Sequence, residues 1–162
     1  MNHTIAESKE FCSHSADMIK LAAEKGIDIG VAPSYLSLQT VKENAGNMIV
    51  AAQDCHFADH GAYTGFVSIP MIKELGIDWC LVGHSERRLY AAETSLTCNR
   101  KIKALIENKM TVVYCVGESL ADFESGRTKS IVKEQLLIGL MDIAKEDTDK
   151  IVVAYEPVWS IG

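Results

Sequence analysis

Three short segments of this chain place proton-carrying side chains directly behind apolar runs. Val82-Gly83 leads into His84-Ser85-Glu86-Arg87-Arg88, an abrupt change from apolar to five polar residues. Val116 leads into Gly117-Glu118-Ser119, and Tyr155 leads into Glu156-Pro157-Val158-Trp159-Ser160-Ile161-Gly162. A carboxylate at the end of a buried strand is partly stripped of water, which suits Glu156 to work as a base. A histidine at the end of a neighbouring strand, His84, could polarise the same ligand or exchange protons with it. Each feature also has a plainer reading. A single histidine after a strand is commonly a satisfied structural residue, Gly83-His84 can be a tight turn, and Glu156-Pro157 can be another. Spacing alone leaves both readings open.

The elements that must position these residues can be read from hydrophobic patterning. Five short runs predict buried strands: Ile27 to Ala32, Met48 to Gln53, Asp78 to Gly83, Met110 to Val116 and Lys150 to Tyr155. Each is almost continuously apolar and rich in Val or Ile, as a strand covered on both faces requires. Between them, Glu93 to Asn108 places Leu96, Ile102, Leu105 and Ile106 on one helical face, with Lys and Glu opposite. Lys129 to Ala144 does the same with Ile131, Val132, Leu136, Leu140 and Ile143. Gly26 and Gly76 follow helical segments and precede strands, the usual place of a helix-stopping glycine. The order is one helix, then strand and helix in alternation, ending after the fifth strand. That predicts an α/β fold of parallel strands joined by helical crossovers. It does not separate an open doubly wound sheet from a segment of an eight-stranded barrel. In both, working residues gather past the carboxyl ends of strands, which is where the three segments fall. No linker or composition break divides the chain, so residues 1–162 form one domain or part of one.

Composition narrows the function classes. The chain has 162 residues, 48% apolar and 23% charged, the balance of an ordinary globular domain. Its net charge of −6 is spread along the chain, and the basic clusters are as short as Arg87-Arg88 and Arg100-Lys101-Ile102-Lys103. Nucleic-acid binding needs a phosphate-neutralising surface and is disfavoured. No apolar run approaches the roughly 18 residues of a membrane span. The first seven residues are neither basic nor followed by an apolar stretch, so no secretory signal is expected. Cys12, Cys55, Cys80, Cys98 and Cys115 are unevenly scattered, with no pair at the interval of a zinc site or redox dithiol. Such thiols suit a reducing, cytoplasmic setting and read best as small buried hydrophobes.

Four blocks carry a resemblance to a known family. Val82-Gly83-His84-Ser85-Glu86-Arg87-Arg88 and Ala154-Tyr155-Glu156-Pro157-Val158-Trp159-Ser160-Ile161-Gly162 both match motifs of triosephosphate isomerase. So do Ala51-Ala52-Gln53 with Gly61-Ala62-Tyr63-Thr64-Gly65, and Tyr114-Cys115-Val116-Gly117-Glu118. The blocks occur in the family's order and spacing, and the chain resembles that family over essentially all of its length.

The resemblance implies interconversion of dihydroxyacetone phosphate and D-glyceraldehyde 3-phosphate, with no metal and no organic cofactor. The proton-transfer roles of this family are a standard example in enzymology. Glu156 matches the base that moves a proton through an enediolate, and His84 matches the neutral imidazole that donates a hydrogen bond to substrate oxygens. Pro157 to Gly162 matches the start of a mobile lid, with the Gly162 N–H as a phosphate contact and Trp159 at the hinge. Glu86 matches a supporting residue buried beside the active site. Cys115 matches one packed close to the glutamate, structural support and not a nucleophile. Asp54 to Phe66 matches a loop that inserts into the partner subunit of a homodimer, with Thr64 and Gly65 at its tip. There the chain departs from the family pattern. Thr64-Gly65-Phe66 replaces the usual Thr-Gly-Glu, whose glutamate pairs with the first arginine of the histidine motif, Arg87 here. Arg87 is left in need of another partner, and the dimer contact is put in question. Gln53-Asp54 in place of Gln-Asn is a milder change.

The resemblance also implies a partial TIM (β/α)8 barrel of about five parallel strands, barrel strands 2 to 6. Family members run to about 250 residues, the size of a complete barrel. Met1-Asn2 matches the end of an Asn-x-Lys-Met-Asn motif, so the expected catalytic lysine would lie upstream. The last two strands, with their phosphate-binding turns, would lie downstream, as in an amplified gene segment. A polypeptide ending at these points is expected to be poorly soluble and inactive, with two open sheet edges. The alternatives are a truncated, non-enzymatic interaction module, and another phosphate-binding barrel enzyme.

Overall fold

The computed structural model describes residues 2–161. Helices α1 (Ile5–His14) and α2 (Ala16–Glu24) come first, α1 opened by a capping box between Thr4 and Glu7. Five strands follow: β1 (Gly30–Val31), β2 (Ile49–Ala52), β3 (Trp79–Val82), β4 (Thr111–Val116) and β5 (Ile151–Tyr155). Helix α3 (Tyr35–Asn44) joins β1 to β2, and a long loop with α4 (Ile69–Glu74) joins β2 to β3. Helices α5 (Ser85–Tyr90) and α6 (Ser95–Glu107) join β3 to β4. The last crossover holds α7 (Leu120–Glu124), α8 (Thr128–Gly139) and the 3-10 turn Lys145–Lys150.

All five strands are parallel, and their order in the sheet is their order in the chain, β1-β2-β3-β4-β5. That order resolves the alternative that periodicity leaves open. A doubly wound sheet reverses direction at a switch point, whereas here every crossover steps the same way. Right-handed crossovers then put all helices on one face, and strand twist curls the sheet away from them. The result is a segment of a (β/α)8 barrel.

The core lies between helices and sheet. Cys80, Val82, Val112 and Tyr114 from the strands pack with Ile72, Ile102 and Leu105, all at most 1% exposed. At the edge the sheet is less covered than the apolar runs predict. Val152, Val153 and Tyr155 of β5 are 44%, 47% and 53% exposed. Strand β5 pairs only with β4 among the described residues, and both its faces are exposed: Val153 and Tyr155 share the helix side with Tyr114 and Val116, and Val152 points to the other. The first predicted strand shrinks to Gly30–Val31 for a related reason, since β1 is the other edge.

Two helices differ from their predicted faces. Helix α6 begins at Ser95 because Thr94 caps it, and its buried stripe includes Lys101 beside Ile102 and Leu105. Helix α8 stops at Gly139, earlier than predicted. Asn99 Nδ2 donates to the Gly139 and Met141 carbonyls at 3.0 and 2.8 Å, capturing the free end.

Candidate active site

Strand β3 ends where Gly83 adopts φ 78°, a left-handed conformation open to glycine at no cost. The chain turns there, and His84 becomes the N-cap of α5. Its Nδ1 accepts the Glu86 N–H at 3.3 Å. A ring nitrogen that accepts a backbone N–H carries no proton, so the proton of the neutral imidazole sits on Nε2. That Nε2 points to Glu156 Oε2, 3.2 Å away.

Glu156 stands one residue past β5, its N–H donating to the Val116 carbonyl at 2.8 Å. Its Oε1 accepts the Ser85 N–H at 2.6 Å, an unpaired donor in the first turn of α5. The fold therefore brings together two residues 72 positions apart in sequence. His84 and Glu156 side chains are 29% and 16% exposed, accessible to a ligand yet largely shielded. Gly117 allows the close approach: a Cβ there would fall on the Glu156 carbonyl. The Gln135 amide holds Gly117 from both sides, accepting its N–H at 2.8 Å and donating to its carbonyl at 2.9 Å.

The other residues singled out by the sequence fall in different places. Cys115 is 3% exposed, and burial followed by the Glu156 charge pushes its thiol up to about 12. It stays protonated at neutral pH. Glu86 is a correction: its side chain is 69% exposed, with His84 Nδ1 at 3.9 Å. It projects from the first turn of α5, and no side chain among the described residues covers it. Thr64 and Gly65 are exposed on the loop between β2 and α4, outside the His84–Glu156 centre. Gly162 lies outside the described residues.

Glu118 gains a specific role. Its carboxylate accepts from Tyr155 Oη at 3.0 and 3.1 Å and from Trp159 Nε1 at 3.0 Å, while its carbonyl accepts the Val158 N–H at 3.0 Å. These donors, the Trp159 indole foremost, hold its carboxyl below the usual glutamate range. Trp159 also stacks on Phe123, ring centroids 4.3 Å apart. The segment after Glu156 is thus tied to the end of β4 by a tryptophan that composition alone would assign to packing.

Beside the site lies a charge network that the sequence reading missed. Asp54 accepts from Lys101 Nζ and pairs with Arg87 Nη2, each at 2.6 Å, and Lys101 also pairs with Glu93. Asp54, Lys101 and Glu93 side chains are at most 5% exposed. Burial drives the Asp54 carboxyl up, with Lys101 pulling against it. Burial opposes the Lys101 ammonium, but Asp54 and Glu93 outweigh it and keep its pKa above the ordinary lysine value. A signal was present: Cys98, Lys101, Ile102 and Leu105 follow helical spacing, which puts Lys101 on the apolar stripe. Loop Asp54–Phe66 folds over this network, where His56 is 6% exposed and ringed by Phe57, Tyr63 and Phe66 at 4.3, 4.0 and 4.9 Å.

No helix of the described residues is long and apolar enough to cross a membrane. Residues 1–162 match the family model described as triosephosphate isomerase. Proteins named triosephosphate isomerase from Clostridium botulinum and Alkaliphilus metalliredigens are each 39% identical over 164 residues. One from Clostridium tetani is 38% identical over the same length. All three alignments cover the whole of this chain. The chain spans 65% of the Clostridium botulinum relative and 63% of the Clostridium tetani one.

Proposed function

The chain belongs to the triosephosphate isomerase family, and we propose that the whole protein interconverts dihydroxyacetone phosphate and D-glyceraldehyde 3-phosphate. One observation carries this reading: His84 Nε2, its tautomer set by the Glu86 N–H, faces Glu156 Oε2 at 3.2 Å past the ends of β3 and β5, the two parallel strands that flank β4. An electrophile and a base are thereby aimed at one volume, as proton transfer next to a carbonyl needs.

Glu156 is the base. In the present arrangement its Oε1 is engaged by Ser85, so the carboxylate must give up that N–H to reach a substrate carbon. It takes the proton from C1 of the ketose, and the C–H electron pair becomes the double bond of an enediolate. The His84 Nε2–H donates to the substrate oxygens and offsets the charge that develops there. The same proton, returned at C2, gives the aldose, while one proton passes between the two oxygens. Nothing in this sequence calls for a metal or an organic cofactor.

Glu118 ties the following segment to the end of β4, its carboxylate accepting from the Trp159 indole and its backbone carbonyl from the Val158 N–H. Closure of that segment, with the Gly162 N–H on the phosphate, excludes water during the reaction. Thr64 and Gly65 serve at the tip of a loop that enters a second copy, and a homodimer in the cytoplasm is the assembled state. The 162-residue polypeptide by itself does not turn over. Its last strand is exposed on both faces, at Val152 on one and at Val153 and Tyr155 on the other, and proton transfer on a triose phosphate needs water excluded.

The test is a coupled assay with triose phosphates on the whole protein. Glu156→Gln is expected to lower kcat by roughly 10²- to 10⁴-fold, the usual loss of a general base. His84→Asn is expected to cost roughly 10²- to 10³-fold, as for one oxyanion donor. Wild-type turnover in either variant would remove the pair from the mechanism. Turnover by the isolated chain would overturn the statement that it is inactive.

A further inference from the structure

The Arg88 side chain runs back beneath the turn that carries His84. Its Nε donates to the Gly83 carbonyl at 2.8 Å, and Nη2 donates to the Cys115 carbonyl at 3.3 Å. Nη2 also donates to Tyr114 Oη at 3.4 Å, and Nη1 to Ser95 Oγ at 3.2 Å. The reason for a guanidinium here lies in the ladder. The β3–β4 register ends at Val82 opposite Tyr114. Successive carbonyls of a strand face opposite neighbours, and Val116 O accepts Glu156 N–H on the β5 side. The Cys115 carbonyl therefore faces the β3 side, where Gly83 has already left the strand. A buried carbonyl at that level would lack a partner, and Arg88 supplies one while holding the Gly83 carbonyl with the same planar fork.

Both halves of the site thus take their position from consecutive residues of β4. Glu156 hangs from Val116 through a ladder bond, and the His84 turn hangs from Cys115 through Arg88. Gly83 is fitted to this arrangement. A Cβ on it would meet Arg88 Nη2 at 2.9 Å and the Cys115 carbonyl at 3.1 Å, so any larger residue would displace the fork.

Resting on the functional reading above, we propose that Arg88 is a positioning residue: its fork replaces the missing ladder rung and sets the distance between His84 and Glu156. The substrate is not touched by Arg88, and no proton of the reaction passes through it.

The experiment compares Arg88→Lys and Arg88→Met in the whole protein. Lysine keeps the charge but is a single-point donor that cannot span both carbonyls. Misplacement of a reacting group by about 1 Å costs on the order of 10²-fold. The expected result is a fall in kcat of more than about tenfold in both variants, with KM within about threefold. The His84 side-chain nitrogen resonances, and their titration with pH, are expected to move in Arg88→Lys. The nitrogen spectra report on His84 geometry without turnover. If the unsubstituted protein does not isomerise triose phosphates, the functional reading fails while the spectra still decide the role of Arg88. Unchanged His84 resonances in Arg88→Lys, or a loss confined to melting temperature with kcat intact, would overturn the proposal. Should Arg88→Met not fold, the lysine variant carries the decision.

Discussion

Arg87 finds its carboxylate within its own chain: its Nη2 lies 2.6 Å from Asp54 Oδ2, in a loop that starts directly after β2. The same carboxylate holds the buried Lys101 through its other oxygen. The two departures from the family pattern, at positions 54 and 66, are thus physically linked. Phe66 offers Arg87 no charge and turns instead to the His56 ring, while the added charge at Asp54 provides the pair.

Removing that carboxylate leaves two cations with less than they need in a space of little water. Asp54→Asn is expected to destabilise the fold by about 3 kcal/mol, the usual cost of breaking a buried pair from one side. Urea unfolding followed by circular dichroism measures it. An unchanged midpoint would mean that Glu93 alone satisfies Lys101.

Gly117→Ala drives a methyl into the Glu156 carbonyl and forces β5 away from β4. Loss of stability of at least about 1 kcal/mol is expected, in the range of overpacked sites. A fall in kcat should accompany it, because the same displacement moves Glu156. A variant as stable and as active as the parent would mean that the strands can shift without loss.

The Glu118–Trp159 tie has a defined pH dependence. The folded-state pKa of Glu118 lies below the ordinary glutamate value, with the indole donor as the first cause. A depressed carboxylate adds stability that is fully present above the unfolded-state value and is lost as pH falls through the folded-state one. Trp159 emission should therefore hold steady through the ordinary glutamate range and change only in more acid solution. A Trp79→Phe background isolates the signal, and Glu118→Leu should show the acid-state spectrum at neutral pH. A transition at or above the ordinary glutamate value would contradict the tie.

All five cysteines are free and buried. Burial also pushes Cys98 and Cys115 up to about 12, so these two lack both access and thiolate character. In the folded protein an aromatic disulfide reagent at pH 8 should find no fast thiol, and five after denaturation. A single fast-reacting cysteine in the native state would show local opening around it.

Much of the fold was legible because buried parallel strands advertise themselves. Runs such as Met110 to Val116 have no polar face to hide, and β4 appeared almost at its predicted limits. What failed was local or lateral. The short helix α5 has no apolar period, since its six residues are mostly polar. It forms because His84 caps it and Arg88 folds back under it. Lys101 stands in the basic cluster Arg100-Lys101-Ile102-Lys103, yet helical spacing puts it on the stripe of Ile102 and Leu105, where it is buried. The exposure of β5 could not be foreseen from Ile151-Val152-Val153, whose composition is that of a strand covered on both sides.

For the site, the sequence by itself determined the residue types and the family that carries them. The motifs around His84 and Glu156 are contiguous words, and contiguous words survive in one dimension. The tertiary structure decided everything that depends on distance between strands. It alone put Ser85 N–H on the Glu156 carboxylate, fixed the His84 tautomer at Nε2 and seated Arg88 on the rung that Gly83 vacates. It also gave Arg87 its partner in Asp54. The physical reason is the same in each case: these are hydrogen bonds and charge pairs across crossovers, and their strength depends on separations of a few ångströms that only the curl and register of the sheet set.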